Sequence, residues 1–331
     1  MGEDKKDDRF KKTRSNMKRK TKANGINRRK FLQTSAGLAA GTMFIGMGAS
    51  KLFGAPNAIQ SETSIEAITL NNGIKMPVLG FGTLYLNGEL GERCVADAIS
   101  LGYRLIDTAT IYGNENSVGA GIKKSGISRE ELFVTSKLWV DDSGYENTKK
   151  AFQASLDKLG MDYLDLYLIH RPRGDVKGSW LAMEDLCKEG KIRAIGVSNF
   201  EVNHLDELMS YGKSIPAVNQ IETHAFFQQE KAKETLKKYG IQMEAWSPFA
   251  QGRNGHFTNE TLEAIGKKYN KTSAQVSLRW HYHRGIVAIP RSSQKAHMIE
   301  NLNIFDFELD KSDIKKINSL DLNITQFPEW K

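Results

Sequence analysis

Cysteine is almost absent from this chain: Cys94 and Cys187 are the only two in 331 residues. Two thiols this far apart supply no disulfide framework, and neither has a histidine or second cysteine at metal-ligand spacing. Both lie in helix-like segments and read as buried structural thiols, with a disulfide left open if the protein is exported. A long apolar run is missing as well. The charge-free stretch from Ala36 to Ala49 falls short of the roughly 20 residues that a spanning helix needs. Also missing is a glycine-rich phosphate fingerprint after the first strand-like run. Leu79-Gly80-Phe81-Gly82-Thr83 does not continue into G-x-G-x-x-G, which counts against an open, doubly wound sheet.

Positive charge is lacking where a polyanion-binding fold would need it. The formal net charge is +8, yet residues 1–60 hold 14 Lys and Arg against 4 Asp and Glu, and the remainder holds 33 against 35. The basic balance belongs to the leader, and the rest is slightly acidic, so no nucleic-acid partner is expected. Within the leader, Asn27-Arg28-Arg29-Lys30-Phe31-Leu32-Gln33 precedes the mild apolar stretch. That order resembles a twin-arginine export signal, a receptor-read address left out of fold reasoning. The expectation is a leader over 1–58, the twin-arginine machinery as its partner, and a periplasmic protein, with a cytoplasmic one as the alternative. No clean Ala-x-Ala appears, and candidate ends lie near Ser50 to Ala58. No lipobox cysteine is present, so no lipid anchor is expected. Met17 is a candidate true start, since the leader has a normal length from there.

From residue 62 the chain reads as one globular domain; 40% apolar and 26% charged residues are ordinary for that class. Ile65–Leu70, Asn71-Asn72-Gly73 and Ile74–Met76 read as a hairpin with an Asn-Gly turn. Strand-like runs then alternate with amphipathic stretches. The runs are Val78–Phe81, Leu105–Asp107, Phe133–Ser136, Leu164–Ile169, Ala194–Val197, Ala217–Ile221, Gln242–Trp246 and Val287–Ile289. The helical stretches are Glu89–Leu101, Ser117–Lys124, Tyr145–Leu159, Trp180–Glu189, Val202–Tyr211, Glu230–Tyr239, Asn259–Tyr269 and Ala274–His283, with a closing helix over Ser312–Leu320. Parallel strands need long crossovers, and eight such units close most simply into a (β/α)8 barrel, with the hairpin plugging its bottom.

Barrel chemistry gathers at the C-terminal ends of strands. Asp107 and Tyr112 follow the second strand, Lys137 ends the third and His170 the fourth. One lysine or histidine after a strand is commonly a solvated or hydrogen-bonding group. Four such groups on one face are more specific.

Here the sequence resembles the aldo-keto reductases. The residues that carry the likeness are Gly80-Phe81-Gly82-Thr83, Asp107 to Glu115, Thr135-Ser136-Lys137-Leu138-Trp139, Leu164 to His170, Lys191 to Phe200, Val218 to Glu222 and Ile289-Pro290-Arg291-Ser292. The likeness is nearest to bacterial members that reduce small dicarbonyls and diketo-sugar acids. It implies an NADP(H)-dependent enzyme acting on small carbonyl substrates, with Tyr112 as general acid; a monomer is expected. A phenol has an ordinary pKa of about 10. A Lys137 ammonium beside it would lower that value, Asp107 would hold Lys137, and His170 would orient the carbonyl oxygen and share the proton load.

The resemblance further implies Trp246 stacking on the nicotinamide, followed by Ser247, with Ser198, Asn199 and Gln220 at its carboxamide and Thr83 nearby. Arg291, Ser292 and Ser293 would hold phosphate, His297 would stand where relatives carry arginine, and Glu300 and Asn301 would meet adenine. Relatives usually carry lysine where Arg291 stands, and the two departures leave NAD as the alternative to the favoured NADP. Tyr85, Trp139, Arg171 and His224 would border the substrate, Arg171 offering a guanidinium to a carboxylate or phosphate. A short loop Gln251–Phe257 and a short tail imply an open mouth. Two other classes stand beside this reading: a non-catalytic NADP-binding barrel acting as a sensor, and a metal-dependent barrel hydrolase. The hydrolase would need more inward His and Asp at strand ends than Asp107 and His170 supply. No metal is expected.

Overall fold

The computed structural model describes residues 65–330. The leader, its paired arginines, the candidate cleavage region and Met17 lie outside the described residues. The described residues open with two short antiparallel strands, β1 (Ala67–Thr69) and β2 (Lys75–Pro77), joined through Gly73 at a φ of 86° that favours glycine. Asn71 donates to Pro216 O at 3.0 Å, just ahead of one barrel strand, and Asn72 to Arg193 O at 3.0 Å, at the start of another, so the hairpin sits across the N-terminal end. Leu70 and Met76 from this hairpin join the interior cluster as the plug.

Eight parallel strands follow. They are β3 (Gly80–Gly82), β4 (Leu105–Asp107), β5 (Phe133–Leu138), β6 (Leu164–Ile169), β7 (Ile192–Ser198), β8 (Val218–Glu222), β9 (Gln242–Trp246) and β10 (Val287–Ala288). Each pairs with the next in chain order. The ring closes at a narrow seam. Leu79 bridges Ala288, Ala288 N donates to Val78 O at 3.2 Å, and Gly82 N donates to Pro290 O at 3.0 Å. A Cβ on Gly82 would lie 2.8 Å from Ile289 O, so the approach at this seam requires glycine.

Among the described residues ten helices wrap the strands. They are α1 (Gly88–Ser100), α2 (Glu115–Ser125), α3 (Tyr145–Leu159), α4 (Val176–Lys188), α5 (Val202–Tyr211), α6 (Glu230–Tyr239), α7 (Glu260–Tyr269), α8 (Ser273–His283), α9 (Lys295–Leu302) and α10 (Lys311–Asn318). All eight expected strands and nine expected helices are present, with shifted ends. α4 starts four residues before Trp180 because Asp175 caps it, accepting from Gly178 N at 2.8 Å. α9 was not foreseen. It packs Met298 inward, and the Tyr103 hydroxyl donates to Met298 O at 3.0 Å.

Alternation along each strand separates two cores. Leu105, Phe133, Leu166, Leu168 and Val218 fill the barrel interior; Ile106, Val134, Tyr167 and Ile169 meet the surrounding helices. Continuing that parity one or two steps places Asp107, Lys137, His170, Gln220 and Glu244 on the inward face at the C-terminal end. Cys94 is buried and Cys187 half-buried, and both are free thiols. No helix among the described residues is long and apolar enough to cross a membrane.

Candidate active site

The inward parity of β4 and β5 brings a carboxylate and an ammonium together in the barrel. Lys137 has no exposed surface; its Nζ donates to Asp107 Oδ1 at 2.6 Å and to Thr108 O at 2.8 Å. Its third reach is to the Tyr112 hydroxyl at 3.4 Å. Tyr112 is held by a single turn of 3₁₀-helix, Thr110–Tyr112, that ends at Gly113 with φ 66°. The Thr110 hydroxyl ties this turn to Lys137 O at 2.9 Å. Asn114 ties the loop to the first barrel strand, donating to Thr83 O at 2.7 Å and Leu86 O at 3.0 Å. His170 presents its ring edge-on to Tyr112, with centroids 5.9 Å apart, and Trp139 stands edge-on to His170 at 5.2 Å.

Burial sets the protonation states here. Burial alone presses the Lys137 ammonium down, but Asp107, then Tyr112, outweigh it, and the amine lies above its ordinary value. Tyr112 corrects the sequence expectation of an acidified phenol. Burial raises it more than the Lys137 charge lowers it, so the phenol stands above its ordinary value. His170 is held well below the usual imidazole range by burial, then by the charges of Lys137 and Arg171. It is therefore neutral at physiological pH. It can orient a carbonyl oxygen but carries no second proton to share, which corrects the expectation of a shared proton load.

The network continues past Asp107. Gln220 Nε2 donates to Asp107 Oδ2 at 2.8 Å and to Glu244 Oε2 at 2.8 Å. The Ser198 hydroxyl donates to Gln220 O at 2.8 Å. Asn199, at φ 62°, donates to Ser198 Oγ at 2.9 Å and His170 O at 3.2 Å, and its Oδ1 accepts from the Trp246 indole at 2.9 Å. Glu244, fully buried, escaped the sequence reading. Burial, then the Asp107 charge, push its carboxyl up to about 8. Its signal was an acid at an inward position between Met243 and Ala245, two residues before Trp246.

Thr83 is fully buried and donates to Asp107 O at 2.9 Å. Ser247, at φ 51°, accepts from Gln251 at 3.3 Å. After β10, Arg291 and His297 are exposed, Ser293 is half-buried, and the Ser292 hydroxyl bonds both ways with Gln294. Among the described residues Arg291 has no ion pair, and it stands beside the loop leading to α9. Glu300 is half-buried, whereas Asn301 is buried and hydrogen-bonds the Tyr103 phenol. These groups suit a phosphorylated dinucleotide: an indole flank, a carboxamide-sized polar set around Gln220, and a guanidinium unclaimed by any described acid.

Two expectations about the mouth are corrected. His224 is fully buried, bonded to Glu222 Oε1 at 3.0 Å and flanked by Phe226 and Phe327, so it stands behind the mouth. The tail does not leave the mouth open either. Glu222 accepts from the Thr325 hydroxyl, and from Gln326 N at 2.8 Å. Arg253 from the 250–258 loop bonds Gln326 O and Glu329 and lies 4.2 Å over the Phe327 ring. Phe327 and Trp330 then pack on Trp246, with centroids 5.2 and 5.5 Å away. Tyr85 is 42% exposed at φ 66°, and Arg171 is half-buried beside Tyr112 and His170. Arg171 makes no ion pair among the described residues. No group of three or more His, Cys, Asp or Glu among those residues is placed to hold a metal ion.

The sequence profile of the aldo/keto reductase family matches residues 78–322. A glyoxal reductase of Bacillus subtilis is 51% identical over 257 residues, covering 77% of this chain and 92% of the relative. A methylglyoxal reductase of Yersinia pestis is 42% identical over 257 residues, covering 77% of this chain and 92% of the relative. Among solved structures, a Bombyx mori aldo-keto reductase in complex with NADP superposes with a TM-score of 0.75 at 35% identity, covering 80% of this chain and 95% of that one.

Proposed function

Since the chain belongs to the aldo/keto reductase family of oxidoreductases, we propose that it reduces small aldehydes and ketones, dicarbonyls foremost, to alcohols with NADPH. The observation that carries this reading is the buried chain from Asp107 through Lys137 Nζ to the Tyr112 hydroxyl, at 2.6 and 3.4 Å. Trp246, Gln220, Arg291, Ser292 and Ser293 would hold NADPH, which would supply a hydride when bound. The residues of the chain supply the proton. Tyr112 stays protonated at neutral pH because burial keeps its phenol up, so it arrives holding the proton that a nascent alkoxide needs. Lys137, fixed as a cation by Asp107, stabilises the phenolate left after transfer. Neutral His170 donates an N–H to the carbonyl oxygen and aims it at Tyr112. Trp139 and Tyr85 flank the entrance, and Arg171 gives carbonyl compounds bearing a carboxylate an additional handle.

The test is direct: purified protein is mixed with NADPH and methylglyoxal, and the loss of cofactor absorbance is followed. Turnover that is saturable in both reactants is expected; its absence across aldehydes, diketones and keto acids would refute the reading. Affinities for NADPH and NADH, measured in parallel, should favour NADPH. The leader supports a second part of the proposal, export by the twin-arginine route to the periplasm. Fractionation of cells expressing the full chain, with and without Arg28→Lys and Arg29→Lys, checks it.

A further inference from the structure

Glu244 is the one acid in the barrel's inner network with no role so far, and resting on the reductase reading above, we propose that it is a positioning residue. It fixes the side-chain amide of Gln220 so that the amide oxygen, not its nitrogen, is offered to the cofactor's carboxamide. The registry makes the pair a built feature: Gln220 and Glu244 are direct partners across β8 and β9. An amide nitrogen has two hydrogens. In Gln220 one goes to Asp107 and the other to Glu244, both at 2.8 Å. With both hydrogens directed at carboxyl oxygens, a half-turn of the amide would lift its nitrogen from both partners and set its oxygen against the Asp107 carboxylate that Lys137 pairs. The Gln220 oxygen has no hydrogen-bond partner among the described residues, so it remains available to accept an N–H.

The surroundings define when Glu244 does this without harm. The charged groups facing it are Asp107 from β4 and Lys137 from β5. β8 presents uncharged Gln220, and β10 pairs it with Val287. Below about pH 8 Glu244 is protonated, and the Lys137 and Asp107 charges balance. Its Oε1 is buried and has no hydrogen-bond partner among the described residues. Ionisation above pH 8 adds a negative charge that tightens Lys137 and makes Tyr112 a poorer acid, so turnover falls. An apolar residue at this position would leave Gln220 half-anchored.

Wild type, Glu244→Gln and Glu244→Leu are compared. Binding of NADPH, and of its 3-acetylpyridine analogue, which has the ring carbonyl but no N–H, is read by tryptophan fluorescence, alongside the pH profile of kcat/KM. One hydrogen bond of ordinary strength corresponds to about a tenfold preference. Wild type and Glu244→Gln should prefer NADPH by about tenfold, while Glu244→Leu should prefer it by less than about twofold. The alkaline limb of the profile should move up by about one pH unit in Glu244→Gln. Full preference in Glu244→Leu overturns the proposal. If that variant does not fold, an unmoved alkaline limb in Glu244→Gln overturns it instead. A wild type that fails to bind NADPH would refute the reductase reading itself, a separate outcome.

Discussion

At the scale of single residues, the site turns on how burial acts on three ionisable groups. Tyr112 is kept protonated, His170 neutral and Lys137 charged, each through a different balance of desolvation and neighbouring charge. Tyr112→Phe should therefore cut kcat by about 10²–10⁴-fold, while the dissociation constant for NADPH, from fluorescence titration, stays within about twofold. Asp107→Asn tests the buried pair. It leaves the Lys137 ammonium without its counter-charge, and breaking such a pair costs about 3–5 kcal/mol, readable as a lowered urea midpoint. Asp107, Lys137 and His170 were legible in the sequence because they stand at the ends of consecutive strand-like runs. The direction of the Tyr112 shift was not, since a lysine neighbour can be counted from strand ends but the desolvation opposing it cannot. Glu244 was passed over for a related reason: an acid inside an apolar run reads as noise until its cross-strand partner is known.

At the scale of elements, the strands and most helices followed from alternating periods, whereas the tail did not. Nothing local in Leu322 to Trp330 shows that Glu222, more than a hundred residues earlier, will take up its backbone and hydroxyl. Long-range anchors of this kind leave no periodic trace. α9 has no capping side chain at its start to mark it in the sequence, whereas the equally short α10 follows Asp310, which accepts from Asp313 N. The latch makes a measurable claim. Glu222→Ala strips three hydrogen bonds at once and leaves a buried His224 nitrogen unsatisfied, an omission that costs about 1–3 kcal/mol. The melting temperature should fall, and limited proteolysis should cut within 322–330 faster than in wild type. Equal cleavage rates would show that the aromatic packing on Trp246 holds the tail alone.

For the whole molecule, buried histidine makes stability depend on acidity. His256 is fully buried, bonded to Ser277 at 2.9 Å, and pushed down to about 3 by burial, then by the neighbouring histidines. A depressed imidazole contributes stability that is complete above the unfolded value of about 6.5 and is lost as the pH falls towards the folded value. Between pH 7 and pH 5 His256 alone should account for about 2 kcal/mol of lost unfolding free energy. In His256→Gln the difference between the two pH values should shrink by that amount, as measured by chemical denaturation. A second prediction concerns closure. Gly82→Ala drives a Cβ against Ile289 O at 2.8 Å, and overpacking of this kind costs about 1–3 kcal/mol.

The seam that Gly82 closes has a kinetic side. Seven of the eight joints in the ring are regular ladders, while the eighth is a single bridge with two flanking hydrogen bonds. A hoop stapled more lightly at one point opens there first. Deuterium should enter the amides of Gly82 and Ala288 ahead of those in β6 and β7, and any slow breathing of the native barrel should begin on that side.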